Sequence, residues 1–295
     1  MPNSSITDLQ RCAVVAHDAG AANQLLSWIA AGDIQAEHFR FSLTGPAQEI
    51  AVRMGLEFHN ESLAQALDGC TTLLAGTGWS SEHEKQAMEM ACERKIPVFA
   101  VFDHWVNYRM RLEWHGKTLP VSGILVADSY ADELAKREFP EIEVLQLADR
   151  YLINQIRGIQ NPPAECDVVL FLMEPVRVQW PGVDQAGEFF AFDYFCSHRA
   201  VLGIHDEQPI VLRPHPSDSV DKYKVLLQRY PNVRVENSAT LAEQISQADI
   251  VVGLQSYAMV VALAAGRRVI SVLPPQAPPA VLPHAGIEYL RDFCQ

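Results

Sequence analysis

The feature that most constrains the fold is an alternation of short apolar runs with segments that have helical spacing. The first run, residues 11–16, stops at His17 and Asp18 and is followed by a helical segment over residues 24–30. Strand, tight loop and helix in this order are typical of the start of a nucleotide-binding α/β domain. Further strand-like runs follow at residues 38–43, 71–75, 97–102, 123–127 and 143–147. The pattern predicts a parallel sheet flanked by helices.

A second alternating series starts at residues 167–172, after the paired prolines Pro162 and Pro163. Neither proline continues a helix, and each biases the residue before it toward extended backbone, so a domain boundary is expected here. We therefore predict an amino-terminal domain over residues 1–160 and a carboxyl-terminal domain over residues 161–295, facing each other across a cleft. The end of the chain, residues 287–294, is predicted to form a last helix.

Charge and length exclude several classes of function. The chain has 295 residues and a formal charge of −13, whereas binding to nucleic acid or to an anionic membrane needs an excess of Lys and Arg. Residues 1–9 contain neither a basic nor an apolar segment of a secretory signal, and no run approaches 18 uninterrupted apolar residues. We expect a cytoplasmic protein without an integral membrane segment and without nucleic acid as a partner. The oligomeric state is not predicted.

Two strand ends in the second half indicate a phosphate site. One apolar run ends in Arg213-Pro214-His215-Pro216, and another ends in Gly253-Leu254-Gln255-Ser256 before a helix. At the carboxyl edge of a parallel sheet, helix N-termini favour anions, and prolines restrict the loop that presents Arg213 and His215. Two alternatives stay open: Ser256 caps the helix, and Arg213 and His215 serve a structural ion pair and a satisfied loop.

The loop after the first strand of the second half is a third candidate for ligand contact. It contains Glu174, Arg177 and Trp180, at the usual topological position of such a loop. Glu174 is predicted to accept a hydrogen bond from a base or sugar hydroxyl, Arg177 to meet phosphate, and Trp180 to stack on a base. The alternative is that Glu174 and Arg177 pair with each other at the surface.

Candidate bases lie in the first half, where two apolar runs end at His17-Asp18 and at Asp103-His104. Transfer to a hydroxyl needs a group that removes its proton, and a carboxylate or an imidazole meets that need. Asp18 can instead cap the following helix, and Asp103-His104 can instead form a loop packed under Trp105.

Aromatic residues near these loops suggest a sugar or acceptor platform. Trp105 and Tyr108 offer apolar ring faces, and Gly78 and Trp79 follow another apolar run. Aromatic residues that fill gaps in the core are the alternative for the first pair. For the segment after Trp79, we predict a capping box in which Ser81 and Glu84 close the start of a helix.

No metal motif is present in the sequence: HExxH and D-x-D are both absent, and the histidines are dispersed. We therefore expect metal-independent chemistry without a cofactor, in which arginines and helix N-termini neutralise the leaving phosphate.

Two open-sheet domains in tandem resemble the GT-B glycosyltransferases and the related nucleotide-sugar epimerases and hydrolases, which consist of two Rossmann-like domains. Residues 256–271 resemble the serine loop, helix and Gly-ended strand entry that these enzymes place around the donor nucleotide. The pairing of His215-Pro216 with Ser256 is similar to the HP and serine motifs of bacterial sialyl-, polysialyl- and Kdo-transferases. The resemblance implies donor binding by the second domain and acceptor binding by the first.

One position departs from the family pattern. Many members carry a Glu about five residues after the Ser, whereas Val260 and Val261 occupy that region here. The resemblance implies a transferase that uses a CMP- or UDP-linked sugar in surface polysaccharide or glycoconjugate synthesis. A nucleotide-sugar hydrolase or 2-epimerase, and a non-catalytic nucleotide- or sugar-binding protein, are the alternatives.

Overall fold

A computed structural model describes residue 6 and residues 9–294. The chain divides into two compact units, Met1–Tyr151 and Leu152–Gln295. The division falls between residues 151 and 152, whereas the sequence predicts a boundary between residues 160 and 161. The two differ because the segment just before Pro162 is bonded to the second unit. The backbone N–H of Gln160 donates to Ser246 Oγ at 3.0 Å, and Arg267 donates to the carbonyl of Gln160.

The first unit contains a parallel sheet with helices in the connections. Its strands are β1 (Leu9–Ala16), β2 (Ala36–Leu43), β3 (Thr72–Ala75), β4 (Val98–Val101), β5 (Glu113–Trp114), β6 (Lys117–Thr118), β7 (Gly123–Val126) and β8 (Glu143–Gln146). Its helices are α1 (Ala19–Ala31), α2 (Pro46–Arg53), α3 (Leu63–Ala66), α4 (His83–Glu93), α5 (Tyr108–Arg111), α6 (Ser129–Glu138) and α7 (Arg150–Ile156), the last of which crosses the division. In the described residues the sheet order is β2-β1-β3-β4-β7-β8, and β5 and β6 form a separate antiparallel hairpin.

The second unit contains a second parallel sheet. Its strands are β9 (Val169–Leu172), β10 (Ile210–Arg213), β11 (Val233–Val235), β12 (Ile250–Gly253), β13 (Arg268–Ser271) and β14 (Ile287–Tyr289). Its helices are α8 (Gly187–His198), α9 (Lys224–Arg229), α10 (Leu241–Ser246), α11 (Tyr257–Ala264) and α12 (Leu290–Phe293), with 3₁₀ turns at Arg199–Leu202 and Val220–Tyr223. Over the described residues the order is β11-β10-β9-β12-β13-β14.

The central strands are buried, which is why they read as continuous apolar runs in the sequence. All four residues of β4, β7, β9 and β12 are buried, as expected for parallel strands covered on both faces. Each unit has its own apolar core, one around Trp28 and Leu25 and the other around Phe171 and Phe192. In the part of the chain that the structure describes, no helix is long and apolar enough to cross a membrane.

The prediction of a last helix over residues 287–294 is wrong in its first part. Ile287 pairs with Val269 and Tyr289 pairs with Ser271, so this segment is the parallel edge strand β14. Only Leu290–Phe293 is helical. The strand forms because its backbone satisfies the open edge of β13, an interaction that local spacing does not reveal.

Both sheets contain a topological switch point, where connections leave a strand in opposite directions. In the first sheet it lies between β1 and β3, and in the second between β9 and β12. The loops that follow these strand pairs leave the carboxyl edge side by side. In open α/β sheets such a crevice is the usual place for a ligand.

Candidate functional site

Asp18 connects the two loops at the switch point of the first unit. Its Oδ2 accepts hydrogen bonds from the backbone N–H groups of Trp79 at 2.5 Å and Ser80 at 3.1 Å. Asp18 occupies the N-cap position of α1, but its side chain makes no capping bond there. A Cβ on Gly78 would overlap the Asp18 carboxylate, so a glycine is needed for this close approach. The structure therefore brings together Asp18, Gly78 and Trp79.

His17 is held beside Asp18. Its Nδ1 lies 2.9 Å from Thr44 Oγ1, and its Nε2 lies 3.9 Å from Asp18 Oδ1. Gly45 has a φ of +51° and leaves space for the imidazole ring, which a Cβ would overlap. The imidazole and the carboxylate are both about one-fifth exposed, at 22% and 19%. Both groups thus remain accessible to a ligand.

Glu84 is a component of this site that the sequence analysis assigned to a different role. The predicted capping box is wrong: Ser81 Oγ accepts from the His83 N–H at 3.1 Å, but Glu84 turns into the protein and is 1% exposed. Its Oε1 accepts from the N–H groups of His17 at 2.7 Å and Asp18 at 3.4 Å. Glu84 turns inward because these buried N–H groups need an acceptor.

The second oxygen of Glu84, Oε2, is buried and has no hydrogen-bond partner among the described residues. Burial raises the pKa of this carboxyl, while the N–H groups of His17 and Asp18 act in the opposite direction. A signal was present in the sequence, because Glu84 shares the buried face of α4 with Ala87, Met88 and Ala91. An acid on an apolar stripe indicates a buried carboxyl with a specific partner.

Asp103 lies against the first turn of α1 and is paired with a buried arginine. Its Oδ1 is 2.6 Å from Nη1 of Arg111, which is 3% exposed, and a Cβ on Gly20 would overlap its Oδ2. Arg111 Nη1 also donates to Thr77 Oγ1 at 2.9 Å, and its Nε donates to the carbonyl of Val106 at 3.1 Å. The Asp103 carboxylate therefore has a structural partner that the sequence analysis did not identify.

The neighbouring aromatic residues are packed inside the first unit. Nε1 of Trp105 donates to the Asp128 carboxylate at 3.0 Å, and the Tyr108 hydroxyl donates to the carbonyl of Ala131 at 3.4 Å. Trp105 is 7% exposed and Tyr108 is 5% exposed. His104 Nδ1 accepts from the backbone N–H of Trp105 at 2.9 Å. The low exposure of the Trp105 and Tyr108 rings agrees with the packing alternative, and both residues also line a cavity of about 290 Å³, whereas Trp79 is exposed.

Glu174 bridges the switch point of the second unit. Its Oε2 accepts from the backbone N–H of Gln255 at 3.0 Å, which joins the loops after β9 and β12. Burial raises the pKa of the Glu174 carboxyl, and the Gln255 N–H offsets part of that effect. Arg177 is exposed and forms no ion pair with Glu174 within the described chain, so the pairing considered as the alternative is not made. A cavity of about 260 Å³ opens here, lined by Glu174, Arg177, Gln255 and apolar side chains.

Trp180 lines the same cavity, but it is 4% exposed and packs edge-on against Phe190, with ring centroids 6.5 Å apart. The indole is therefore one wall of the cavity. Val260 and Val261, which occupy the region of the expected acid, are both buried inside α11.

Arg213 ends β10 and is directed toward α10. Its Nη1 donates to the carbonyl of Ala239 at 2.9 Å and to Gln244 Oε1 at 2.5 Å. No carboxylate pairs with Arg213 in the described residues, so the structural ion pair considered from the sequence is not formed. Burial lowers the pKa of the guanidinium from its usual value. Arg213 keeps a full positive charge that carbonyl oxygens solvate only in part.

His215 is oriented by its own loop. Its Nδ1 accepts from the backbone N–H of Ser217 at 3.2 Å and lies 2.8 Å from Ser217 Oγ. Because a backbone N–H only donates, the proton of the neutral ring is on Nε2. The outer nitrogen is thus a hydrogen-bond donor, which suits an anionic oxygen.

Ser256 occupies the N-cap position of α11 without acting as a cap. Its side chain makes no capping bond, and its Oγ is buried without a hydrogen-bond partner among the described residues. Buried hydroxyls in proteins nearly always have a partner, so an orphan at a helix N-terminus requires an explanation. A water molecule or an anionic ligand that accepts from the hydroxyl would satisfy it.

A metal site was not expected from the sequence. Among residues 6 and 9–294, no group of three or more His, Cys, Asp or Glu side chains has the arrangement of a metal site.

Comparisons with known proteins support the fold. No protein-family model matches the sequence. No curated protein matches it either.

Solved structures similar to this chain include HepE from Anabaena in complex with UDP, at 11% identity and a TM-score of 0.61, covering 95% of this chain and 85% of that one. UDP-GlcNAc 2-epimerase from Methanocaldococcus jannaschii in complex with UDP-GlcNAc and UDP is 10% identical, with a TM-score of 0.58 and coverage of 96% and 91%. The glycotransferase of kitacinnamycin is 15% identical, with a TM-score of 0.50 and coverage of 91% and 81%. The chain thus has the α/β fold of the GT-B type, with a Rossmann-like sheet in each unit.

Proposed function

We propose that the protein is a glycosyltransferase that uses a nucleotide-activated sugar, with the nucleotide bound by the second unit and the acceptor bound by the first. The observation that carries the proposal is the buried Oγ of Ser256, which has no hydrogen-bond partner within residues 6 and 9–294 and lies at the start of α11 without capping it. Ser256 follows Gln255, which lines the cavity at the switch point. A phosphate oxygen there accepts from the hydroxyl and meets the positive end of the helix.

The helices of the first unit that start at its switch point differ from α11. The first turn of α1 is occupied by the Asp103 carboxylate, and the start of α4 is satisfied by Ser81 Oγ. A carboxylate thus already lies against the first turn of α1, and the start of α4 has a partner from the chain itself, which supports assigning the nucleotide to the second unit.

His215 and Arg213 supply the remaining positive potential for the donor. His215 offers Nε2–H as a hydrogen-bond donor, and Arg213 carries a charge without a carboxylate partner in the described chain. Arg213 is the last residue of β10 and His215 follows it, at the same sheet edge as Ser256. Their role is to stabilise the negative charge that develops on the leaving nucleotide, without a metal ion.

In the first unit, Asp18 is the proposed base that removes the proton from the acceptor hydroxyl. It is about one-fifth exposed and lies beside His17, whereas Asp103 is paired with Arg111. Glu84 holds the backbone of both His17 and Asp18 and thereby fixes the position of the base. General base catalysis by such a group contributes roughly 10²- to 10⁴-fold in rate.

A 2-epimerase is the second candidate, because structures similar to this chain are named as UDP-GlcNAc 2-epimerases. Inversion at the carbon next to the anomeric centre also needs groups that remove and return a proton, and Asp18 is suited to that role. A hydrolase of the same fold differs only in using water as the acceptor.

The test separates these activities by their requirement for acceptor. UDP-, CMP- and GDP-linked sugars are incubated with the protein, first alone and then with a mixture of mono- and oligosaccharides, and products are followed by mass spectrometry and NMR. A transferase consumes donor only with acceptor, an epimerase rearranges donor alone, and a hydrolase releases free sugar. Saturable nucleotide binding without turnover under any condition indicates a binding protein. Absence of binding to every nucleotide contradicts the proposal.

A further inference from the structure

Trp79 is exposed beside the candidate base. Its indole is 48% exposed, although its backbone N–H is fixed by the Asp18 carboxylate at 2.5 Å. A large apolar ring on an anchored backbone loses little conformational entropy when a ligand stacks on it.

Lys85 lies between Trp79 and a second tryptophan. Its Nζ is 5.8 Å from the centre of the Trp79 ring and 5.9 Å from that of Trp114, and it donates to the carbonyl of Glu113 at 2.7 Å. Lys85 forms no ion pair with a carboxylate in the described part of the chain. In a protein with a formal charge of −13, a cation without an acidic partner between two rings is available to an anionic ligand.

The β5–β6 hairpin presents Trp114. Its two turn residues, His115 and Gly116, have φ values of +49° and +73°, the arrangement that matches a tight turn to the twist of the strands. The Trp114 and His115 rings stack with centroids 4.1 Å apart. Nε1 of Trp114 is buried and has no acceptor among the described residues.

We propose that Trp79, Trp114 and Lys85 form an acceptor-binding surface for an anionic saccharide, a pyranose chain that carries carboxylates. This inference names the acceptor class of the proposed transfer and therefore rests on it. The indole of Trp79 takes the C–H face of a sugar ring, and Lys85 pairs with the sugar carboxylate. A sugar that stacks on Trp79 lies close to Asp18, because the backbone N–H of Trp79 donates to the Asp18 carboxylate. The proposed reaction requires the acceptor and the base to be close to each other.

The surface is distinct from the platform predicted at Trp105 and Tyr108, whose rings are buried. It also differs from the cavity of the second unit, since its residues come from α4, the β5–β6 hairpin and the loop after β3. The surface combines the exposed indole of Trp79, the indole of Trp114 and the ammonium group of Lys85. A ligand that contains both a sugar ring and a negative charge contacts all three groups.

Binding is measured by titration calorimetry with trigalacturonate, with neutral maltotriose, and with acetate as an anion without a ring. Intrinsic fluorescence gives a second readout, because Trp28, Trp105 and Trp180 are buried, whereas Trp79 and Trp114, which are not, both belong to the proposed surface. We expect saturable binding of trigalacturonate, weaker binding of maltotriose and none of acetate. Equal binding of the two saccharides overturns the charge assignment, and absence of saccharide binding overturns the surface.

Substitutions of Trp79 and Lys85 test which side chain makes each contact with the saccharide. Trp79→Ala is expected to abolish binding of both saccharides, and Trp79→Phe to retain it. Lys85→Met should weaken trigalacturonate about three- to five-fold, the range of an exposed ion pair, and leave maltotriose unchanged. Lys136→Met is the matched control, because Lys136 is 60% exposed on α6 and pairs with Asp132. An equal effect of the two lysine variants contradicts the role of Lys85.

These titrations contain no nucleotide, so they are independent of the donor site. Nucleotide binding without saccharide binding refutes the acceptor surface alone. Saccharide binding that follows Trp79 and Lys85, together with a failure to bind any nucleotide, refutes the proposed transfer and leaves the saccharide surface standing.

Discussion

The carboxylate of Glu174 accepts a hydrogen bond from the backbone N–H of Gln255 at 3.0 Å, across the switch point of the second sheet. Asp18 makes the same kind of contact in the first unit, where it accepts from Trp79 at 2.5 Å. In each unit, the acid that follows the first strand holds the loop that follows the neighbouring strand. The switch points of the two units therefore share one kind of contact, and a change to either loop acts on the carboxylate that holds it.

Gly78→Ala tests the contact between the Asp18 carboxylate and the loop after β3. The new methyl group overlaps the Asp18 carboxylate, which must move away from Trp79 and Ser80. Because a displacement of about 1 Å can cost on the order of 100-fold in rate, we expect a loss of that size in turnover. Nucleotide affinity should be unchanged, since the proposed nucleotide site is in the second unit. Steady-state kinetics and calorimetry give the two values.

The matched control for this variant is Gly158→Ala. Nothing lies within 4 Å of a Cβ at Gly158, and this glycine has no positive φ. Turnover of the control should equal that of the wild type. Normal turnover in Gly78→Ala contradicts the role of Asp18 as base.

Arg111→Met tests the buried ion pair. The change removes the partner of Asp103 and the donor to Thr77, and it leaves a carboxylate without compensation. Breaking a buried pair from one side costs about 3–5 kcal/mol of unfolding free energy, which urea denaturation measures. The double variant Arg111→Met/Asp103→Asn should lose less than the sum of the single variants. Strict additivity indicates that the two side chains do not interact.

The sequence predicted the sheets well because each buried strand is an apolar run that ends in polar residues. β9 and β12 were placed to within two residues in this way. β14 was missed, because an edge strand of three residues is decided by its partner β13 and not by its own spacing. The β5–β6 hairpin was missed for a similar reason, since two-residue strands carry no periodicity.

The sequence predicted only those residues of the candidate site that directly follow a strand. Strand ends led to His17, Asp18, Glu174 and Ser256, because parallel strands place their carboxyl ends at one edge. They did not show that Arg111 approaches Asp103, a contact made by a short helix that leaves the sheet. Nor did they show which aromatic rings are exposed, which depends on the packing of whole elements.

Ser256→Ala tests the proposed phosphate contact by an effect on binding without an effect on stability. An N-cap Ser usually contributes about 1 kcal/mol, but Ser256 makes no capping bond, so its removal should change the unfolding free energy by less than about 0.5 kcal/mol. A lost hydrogen bond to a charged phosphate should weaken nucleotide binding about ten-fold, equivalent to about 1.4 kcal/mol.

Thr240→Ala is the control for the Ser256 variant. Thr240 forms a capping box with Glu243 at the start of α10, so its removal should cost about 1 kcal/mol of stability and leave nucleotide affinity unchanged. If both variants lose stability and neither loses affinity, Ser256 is a structural cap.

Glu84→Gln tests the buried carboxyl through the pH dependence of stability. The folded protein raises the pKa of Glu84 by burial, so the folded state binds this proton more tightly than the unfolded chain does. The free energy of unfolding that this tighter proton binding contributes is fully present below the pKa of a Glu in the unfolded chain, about 4.3. It is lost as the pH rises through the pKa of Glu84 in the folded protein. Gln keeps an oxygen for the His17 and Asp18 N–H groups and does not ionise. The variant should therefore gain stability relative to the wild type as pH rises from about 4 to 8, in urea denaturation at each pH. A constant difference across that range contradicts a raised pKa at Glu84, and a loss of folding in the variant at low pH contradicts the acceptor role of its oxygen.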